Sequence, residues 1–270
     1  MAVGAPFGDP NGVYTAGYVK LYEKSGSEWD IMQQINGTVT EGKFGYSVAL
    51  SNDASILTIV SYHVAVHMFE YSTESKQYEL IDTKEYYAGE VAVSPDGMVV
   101  GIAAGNSSSE EPNYSGARIF ERSGTGFQQR GGDFSEYGRF YSGIDLNYDG
   151  SVVIIGDRAW SSGRGRVGVF QWKENGESMD WVQMGNDFVG DADGDWMGYL
   201  GCVSITHDGM TVTVGAYKYD GTKGLVRVYD YDESEEMWNK FGGDLTGDYS
   251  DDYFSANVLS ADGMYLVVGA

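Results

Sequence analysis

Two acidic residues lie in two copies of a recurring strand pattern. When the copies are aligned, the two positions are two residues apart and therefore face the same side of the sheet. Glu90 lies in YAGEVAVSPDG, which begins at Tyr87, and Asp145 lies in FYSGIDLNYDG, which begins at Phe140. Two carboxyl groups on one face could act as the acid/base or nucleophile pair of a glycoside hydrolase. The favoured interpretation is that they are solvated, are bridged by water or hold a small cation. Because the strands of this pattern lack a third carboxylate, we do not expect the chain to be an enzyme.

A second group of acidic residues lies in the segment GNDFVGDADGDWMG. Its DADGD core has the alternating oxygens of a calcium loop but lacks the bidentate Glu of an EF-hand. The candidate metal ligands are Asp187, Asp191, Asp193 and Asp195. A solvated acidic loop is the favoured interpretation, and Ca²⁺ is the single cofactor that the sequence suggests.

The charge of the chain excludes several classes of partner. Its 270 residues include 40 acidic and 17 basic ones, which gives a formal net charge of −23. Such an excess repels phosphate backbones and anionic lipid headgroups. No apolar run approaches the roughly 18 residues that span a bilayer. We therefore expect a soluble chain whose partners are neither nucleic acids nor membranes.

The compartment in which the protein resides is suggested by tripeptides that can accept N-linked glycans. Three Asn-x-Ser/Thr sequons, at Asn36, Asn106 and Asn113, fall in segments that we interpret as loops. The single cysteine, Cys202, excludes an internal disulfide. We expect a secreted or extracellular protein, with these asparagines as candidate glycosylation sites.

An internal repeat determines the predicted fold. A strand pattern that opens on an aromatic residue and ends in a tight turn recurs with spacings of 43, 53, 59 and 54 residues. Its copies begin at Phe44, Tyr87, Phe140, Tyr199 and Tyr253. A second apolar run follows each turn, as expected of a β-hairpin. Periods of this length are typical of the blades of a β-propeller.

Two further strands complete each repeat, and each carries an aromatic residue at a fixed place. The third-strand aromatics are Tyr22, Phe69, Phe120, Phe170 and Tyr229, and the fourth-strand aromatics are Trp29, Tyr78, Phe127, Trp181 and Trp238. Recurrence in every repeat favours packing between sheets over a role in lectin-type sugar binding. The sequence thus predicts an all-β fold of four-stranded antiparallel blades.

The two ends of the chain predict how the ring closes. Residues 252–270 supply a first and a second strand, and residues 1–37 supply a third and a fourth, so we expect one composite blade from both termini. The predicted single domain is a five-bladed β-propeller with blades at 252–270 plus 1–37, 38–86, 87–138, 139–194 and 195–251. The motif VGA occurs at both ends, and a closed ring needs only one copy.

The repeat resembles a known family. FGYSVALS from Phe44, VGAP at residues 3–6 and the following GYVKLYE are similar to the FG-GAP repeat, which builds the propeller of integrin α-chains. The resemblance implies a propeller, with the relaxed repeat pattern of WD-type propellers, and leaves function open. The calcium loop that this family often carries between its first two strands is replaced here by short turns, so those calcium sites are not expected.

Aromatic residues outside the regular columns are the candidate ligand contacts. Tyr14, Tyr114, Trp160 and Tyr217 all follow second strands and therefore belong to one rim. We expect a non-catalytic module that binds a protein or a glycan through this rim. Glu90 and Asp145, on the strand face that lines the central channel of the predicted propeller, are further candidate ligand contacts. Two alternatives remain open: a five-bladed glycoside hydrolase or lectin that uses the channel mouth, and a structural subunit of a larger assembly.

Overall fold

In the computed structural model, which describes residues 1–62, 64–104 and 116–270, antiparallel strands form six separate sheets. The first sheet contains β1 (Ala2–Ala5), β2 (Tyr18–Ser25) and β3 (Glu28–Asn36). The second contains β4 (Phe44–Leu50), β5 (Ile56–Ser61), β6 (Ala65–Ser72) and β7 (Gln77–Lys84). The third contains β8 (Ala88–Val93), β9 (Val99–Ala104), β10 (Ala117–Ser123) and β11 (Gly126–Gln129).

The remaining three sheets follow in chain order. The fourth contains β12 (Ile144–Leu146), β13 (Val152–Asp157), β14 (Arg166–Asn175), β15 (Ser178–Gln183) and the short β16 (Phe188–Val189), which also pairs with β14. The fifth contains β17 (Val203–Ile205), β18 (Thr211–Ala216), β19 (Leu225–Asp232) and β20 (Met237–Thr246). The sixth contains only β21 (Ala256–Leu259) and β22 (Leu266–Gly269). Helical turns at Pro10–Gly12, Trp160–Gly163 (α1) and Tyr219–Thr222 (α2) lie between second and third strands.

The turn between a first and a second strand is closed by its own side chains. In the third sheet, the Ser94 hydroxyl donates to Asp96 Oδ1 at 2.6 Å, and the backbone N–H groups of Met98 and Val99 donate to Asp96 Oδ1 and Ser94 Oγ at 2.9 Å each. The same hydroxyl–carboxylate pair recurs at Ser51/Asp53, Thr206/Asp208 and Ser260/Asp262. These local bonds explain why the sequence repeats an Asp at this turn.

Glycine in the second strand allows neighbouring sheets to approach closely. A Cβ atom on Gly156 of β13 would lie 2.1 Å from the carbonyl oxygen of Gly198, which precedes the next first strand. Gly4 of β1 meets the carbonyl of Gly45 in β4 at the same 2.1 Å. The glycine near the end of the second strand therefore marks the contact between one sheet and the next, where any larger residue would collide with backbone.

The apolar core consists of layers between adjacent sheets. Four clusters of buried residues connect the first sheet to the second, the second to the third, the third to the fourth and the fourth to the fifth. Phe69, Phe120 and Phe170 of the third-strand column are each 7% exposed, and Tyr78, Phe127 and Trp238 of the fourth-strand column are buried. Aromatic columns in the complete sheets thus pack between sheets, as the recurrence predicts.

The predicted composite blade does not form among the described residues. β1 pairs with β2 over Ala2–Ala5, while β22 pairs with β21 in a sheet of its own. A composite blade needs β22 beside β2, and β1 already occupies that edge of β2 because both strands carry the second-strand motif. Four sheets have at least four strands and the two end sheets are partial, so five blades and a closed ring are not confirmed.

The sixth sheet leaves apolar side chains uncovered. Val267 is 65% exposed, whereas Thr213 and Ile154, which occupy the equivalent place in β18 and β13, are 0% exposed. The next sheet covers Ile154 and Thr213, whereas none of the described residues covers Val267.

Candidate functional site

Glu90 is partly buried, and its carboxyl group lies against backbone at the centre of the array. Gly201 N donates to Glu90 Oε2 at 3.1 Å, although the two residues are 111 positions apart. Gly143 stands beside this carboxyl, since a Cβ added there would lie 3.6 Å from Glu90 Oε2. Burial, together with the charge of Asp145, raises the pKa of Glu90 to about 8, and hydrogen bonds from the Gly201 and Ile144 N–H groups oppose the shift.

Asp145 is held in a similar way one sheet further along. Its carboxylate accepts hydrogen bonds from Leu146 N at 2.9 Å, from Ile205 N at 3.1 Å and from Ser204 Oγ at 3.2 Å. Burial raises the pKa of Asp145 to about 6, against these hydrogen bonds. Two of the three donors belong to β17, so the carboxylate joins the fourth sheet to the fifth.

Above these carboxyls, aromatic rings line one edge of the molecule. We call this edge the upper rim, defined as the edge at which first strands begin and second strands end. The aromatic arc comprises Tyr46, Tyr62, Tyr141, Trp196, Tyr199, Tyr217 and Tyr253, which come from the second, fourth, fifth and sixth sheets.

One half of the arc is built on the second and fourth sheets. The rings of Tyr46 and Tyr62 stack at 4.5 Å between centroids, and the rings of Tyr62 and Tyr141 stack at 6.1 Å. The Tyr62 and Tyr141 hydroxyls are joined by a short hydrogen bond. Burial raises the pKa of Tyr46 and of Tyr62, so these phenols are neutral near pH 7.

The other half of the arc belongs to the fifth and sixth sheets. Tyr217 stacks on Tyr253 at 4.5 Å between centroids, and its ring lies 4.8 Å from that of Tyr199. Trp196 is parallel to Tyr217 within 14°, at 6.2 Å. All four rings are half-buried, so each is packed on one side and keeps some surface in contact with solvent.

Arg158 connects the two halves of the arc. Its guanidinium carbon lies 4.3 Å from the centre of the Trp196 ring and 5.6 Å from the centres of the Tyr141 and Tyr199 rings. Partial burial lowers the pKa of this guanidinium from its usual value. Aromatic faces attract a cation held at such distances.

The four aromatic residues that the sequence predicted at the rim lie in different places. Tyr217 lies within the arc. Tyr14 is 61% exposed and, with Phe7, Lys43 and Tyr62, lines a groove of about 520 Å³ next to the arc. Trp160 contacts the guanidinium of Arg166 at 5.5 Å and has no ring contact with the arc among the described residues. Tyr114 lies outside the described residues.

The predicted calcium ligands are distributed among separate partners. Asp187 accepts from the Tyr137 hydroxyl at 2.7 Å and pairs with Arg166; Asp191 pairs with Arg227 and Asp193 with Arg164. Asp195 is buried and accepts from Ala192 N at 2.8 Å. Within residues 1–62, 64–104 and 116–270, no three His, Cys, Asp or Glu side chains converge as metal ligands would.

The glycosylation candidates are described only in part. Asn36 is the last residue of β3, where it pairs with Tyr18 and accepts a hydrogen bond from Gln34 Nε2 at 2.7 Å. The expectation of a loop at this residue is wrong, because β3 extends through it. Asn106 and Asn113 lie outside the described residues.

Sequence reasoning missed most of the arc. Tyr199 and Tyr253 were visible as aromatics that open a first strand, and because first strands begin at the upper rim, this position could have been assigned to the surface. Arg158 gives no sequence signal, since its ring neighbours come from segments that precede or follow different strands.

The single cysteine is enclosed in the structure. Cys202 is 1% exposed, and burial raises the pKa of its thiol to about 12.

Comparisons with known proteins support the fold class. Neither a family model nor a curated protein sequence matches the chain. Among the solved structures that match in shape are hydrazine synthase from Kuenenia stuttgartiensis (16% identity, TM-score 0.54), a 6-phosphogluconolactonase described as putative from Bacteroides uniformis (11%, 0.57) and TolB from Acinetobacter baumannii (14%, 0.51). They cover 83%, 87% and 98% of this chain.

These similarities show the fold alone, that of a β-propeller. The chain spans 55%, 66% and 57% of the lengths of the three proteins, so each of them is considerably longer. The structure also has no helix long and apolar enough to cross a membrane among its described residues.

Proposed function

We propose that this chain is a non-catalytic, extracellular interaction module that binds a glycan or a protein through the aromatic arc. The observation that carries the proposal is the continuity of the arc: seven rings from four sheets are linked by ring contacts and by Arg158 along one rim. Half-buried Tyr and Trp offer large apolar faces at a low entropic cost, which suits them to binding surfaces. The extracellular location rests on the sequons.

The positions of the two central carboxyls support a non-catalytic role. Glu90 and Asp145 each accept backbone N–H groups from the fifth sheet, and those bonds occupy oxygens that an acid/base pair would direct at a substrate. The hydrogen-bonded hydroxyls of Tyr62 and Tyr141 join the second sheet to the fourth on the same rim. The glycoside hydrolase alternative is therefore the weaker of the two.

Replacement of one half-buried ring in the arc tests the proposal. We expect Tyr217→Ala to weaken binding of any ligand found on a glycan or protein array by roughly tenfold, because it removes a stacking face and loosens Tyr253. Trp160→Ala is the matched control, since Trp160 is an aromatic residue of the same rim without ring contacts to the arc.

Equal loss of binding in both variants would place the site elsewhere on the rim. Unchanged binding in Tyr217→Ala, with the fold intact by circular dichroism, would contradict the proposal.

A further inference from the structure

Arg158 differs from every other arginine in that it forms no ion pair among the described residues. Each of the other seven arginines lies within 4.0 Å of a carboxylate oxygen, whereas no carboxylate among the described residues lies that close to Arg158. The adjacent Asp157 is fully buried and is occupied by Arg139 at 2.6 Å and Arg166 at 3.7 Å. In a chain with 40 acidic residues, this absence is a specific feature of the site.

The guanidinium of Arg158 is positioned but keeps hydrogen-bonding capacity. Its Nε donates to the carbonyl oxygen of Phe140, and its central carbon lies within 5.6 Å of the centres of the Trp196, Tyr141 and Tyr199 rings. The two terminal nitrogens have no acceptor among the described residues. Two parallel N–H groups on a fixed guanidinium match the two oxygens of a carboxylate.

Two lysines add positive charge to the same rings. Lys218 Nζ lies 3.5 Å from the centre of the Trp196 ring, and Lys43 Nζ lies 5.1 Å from that of Tyr62. Neither amine has a carboxylate within 4.0 Å among the described residues. The rings of the arc therefore carry three cations that have no carboxylate within 4.0 Å among the described residues, although Glu41 lines the groove beside Lys43 and the charge of Asp251 acts on Tyr253.

We infer that the arc recognises an acidic glycan, with the carboxylate of a uronic acid paired to Arg158 and the face of a sugar ring on the Tyr217–Tyr253 side of the arc. The inference rests on the proposed binding function and names its ligand class. A sugar polymer offers flat, weakly polar faces that stack on the rings, and each residue carries at most one carboxylate. Its charge density is lower than that of nucleic acids, so the overall negative charge of the protein opposes it less.

A pair of ligands that differ only in charge tests the inference. Oligogalacturonate and its fully methyl-esterified form share one backbone, and calorimetry gives the affinity for each. We expect the acid to bind roughly tenfold or more tightly than the ester, because a charge-assisted bidentate contact is lost in the ester. Raising the salt concentration should reduce this preference.

Variants assign the preference to one residue. Arg158→Gln should abolish the preference for the acid while retaining affinity for the ester, and Arg158→Lys, which keeps the charge but not the bidentate geometry, should retain a reduced preference. Tyr217→Ala should weaken acid and ester alike. Thermal melting of the two Arg158 variants shows that each is folded.

Four outcomes would overturn the inference: equal binding of acid and ester, an unchanged preference in Arg158→Gln, binding of poly-glutamate in place of either glycan, or no binding of either glycan. The first two leave the proposed function standing, provided that Tyr217→Ala still weakens binding. If neither glycan binds, the inference is wrong, and the array experiment with Tyr217→Ala and Trp160→Ala judges the proposed function independently.

Discussion

Single side chains join the first strands of neighbouring sheets. Ser47 Oγ of β4 accepts from Val91 N of β8 at 3.3 Å, and Ser204 Oγ of β17 accepts from Leu259 N of β21 at 3.1 Å. Asp145 makes the corresponding link from β12 to Ile205 of β17. These side chains add to the backbone hydrogen bonds that adjoining sheets make to each other, such as the bond from Asn257 N to the Gly201 carbonyl at 2.8 Å.

Glu90 makes stability depend on pH in a direction opposite to that of most carboxylates. Its folded pKa of about 8 exceeds the ordinary value of 4.5, so the folded state holds this proton while the unfolded state loses it. Stability from this group is therefore full below about pH 4.5 and declines as the pH rises towards 8. Glu90→Gln should diminish the loss of folding stability between pH 5 and pH 8, by on the order of 1–3 kcal/mol at pH 8.

Urea unfolding at the two pH values measures this effect. Gln can still accept from Gly201 N, so the substitution preserves the contact. Glu74→Gln on the exposed surface is the control and should leave the pH profile as it is. A Glu90→Gln profile that parallels the wild type would show that the carboxyl is ionised in the folded protein.

The site could be predicted from sequence only where it follows the repeat. Alignment of the first strands placed Glu90 and Asp145 on one face, because strand periodicity is regular. The partner of Glu90, Gly201, lies 111 residues away, and no local pattern indicates it. Arg158 and Trp196 were missed for the same reason, since their contact joins two irregular segments.

At the scale of elements, the approach of two backbones explains the repeated glycines. Gly156 in β13 has an extended conformation that alanine also adopts, so its requirement comes from Gly198 of the adjoining segment and not from φ. Hairpins were predictable because Asp-Gly turns are local signals, whereas the closeness of adjacent sheets is read only from structure.

Gly156→Ala should destabilise the protein by about 1–3 kcal/mol, because its Cβ would overlap the Gly198 carbonyl and force the fourth and fifth sheets apart. Chemical denaturation measures the change. Gly132→Ala is the control, since nothing lies within 4 Å of a Cβ at that position. Similar small effects in both variants would mean that the sheets separate at little cost.

At the scale of the whole molecule, the ends are the least covered part. The sequence placed both ends in one blade because each carries half of the repeat pattern. The duplicated second strand prevents this arrangement: β1 fills the edge of β2, and β22 has β21 as its one partner among the described residues. Local pattern therefore predicted the strands at both ends, whereas the composite blade does not form among the described residues.

Amide hydrogen exchange should show this difference directly. We expect the β22 amides (Leu266–Gly269) to exchange far faster than those of β18 (Thr211–Ala216), which occupies the same place in a complete sheet and is buried on both faces. Mass spectrometry of peptides from the two strands gives both rates in one sample. Equal protection of β22 and β18 would show that the sixth sheet is covered in solution.

Two of the central contacts skip a sheet, and this has a consequence for the order of folding. The Tyr62–Tyr141 bond joins residues 79 apart, and the Glu90–Gly201 bond joins residues 111 apart. Neither can form until the intervening sheet is in place, because the chain between the partners must first be ordered. We therefore expect these contacts to form after the main folding barrier, so that weakening them shortens the lifetime of the folded protein and leaves the rate of folding almost unchanged.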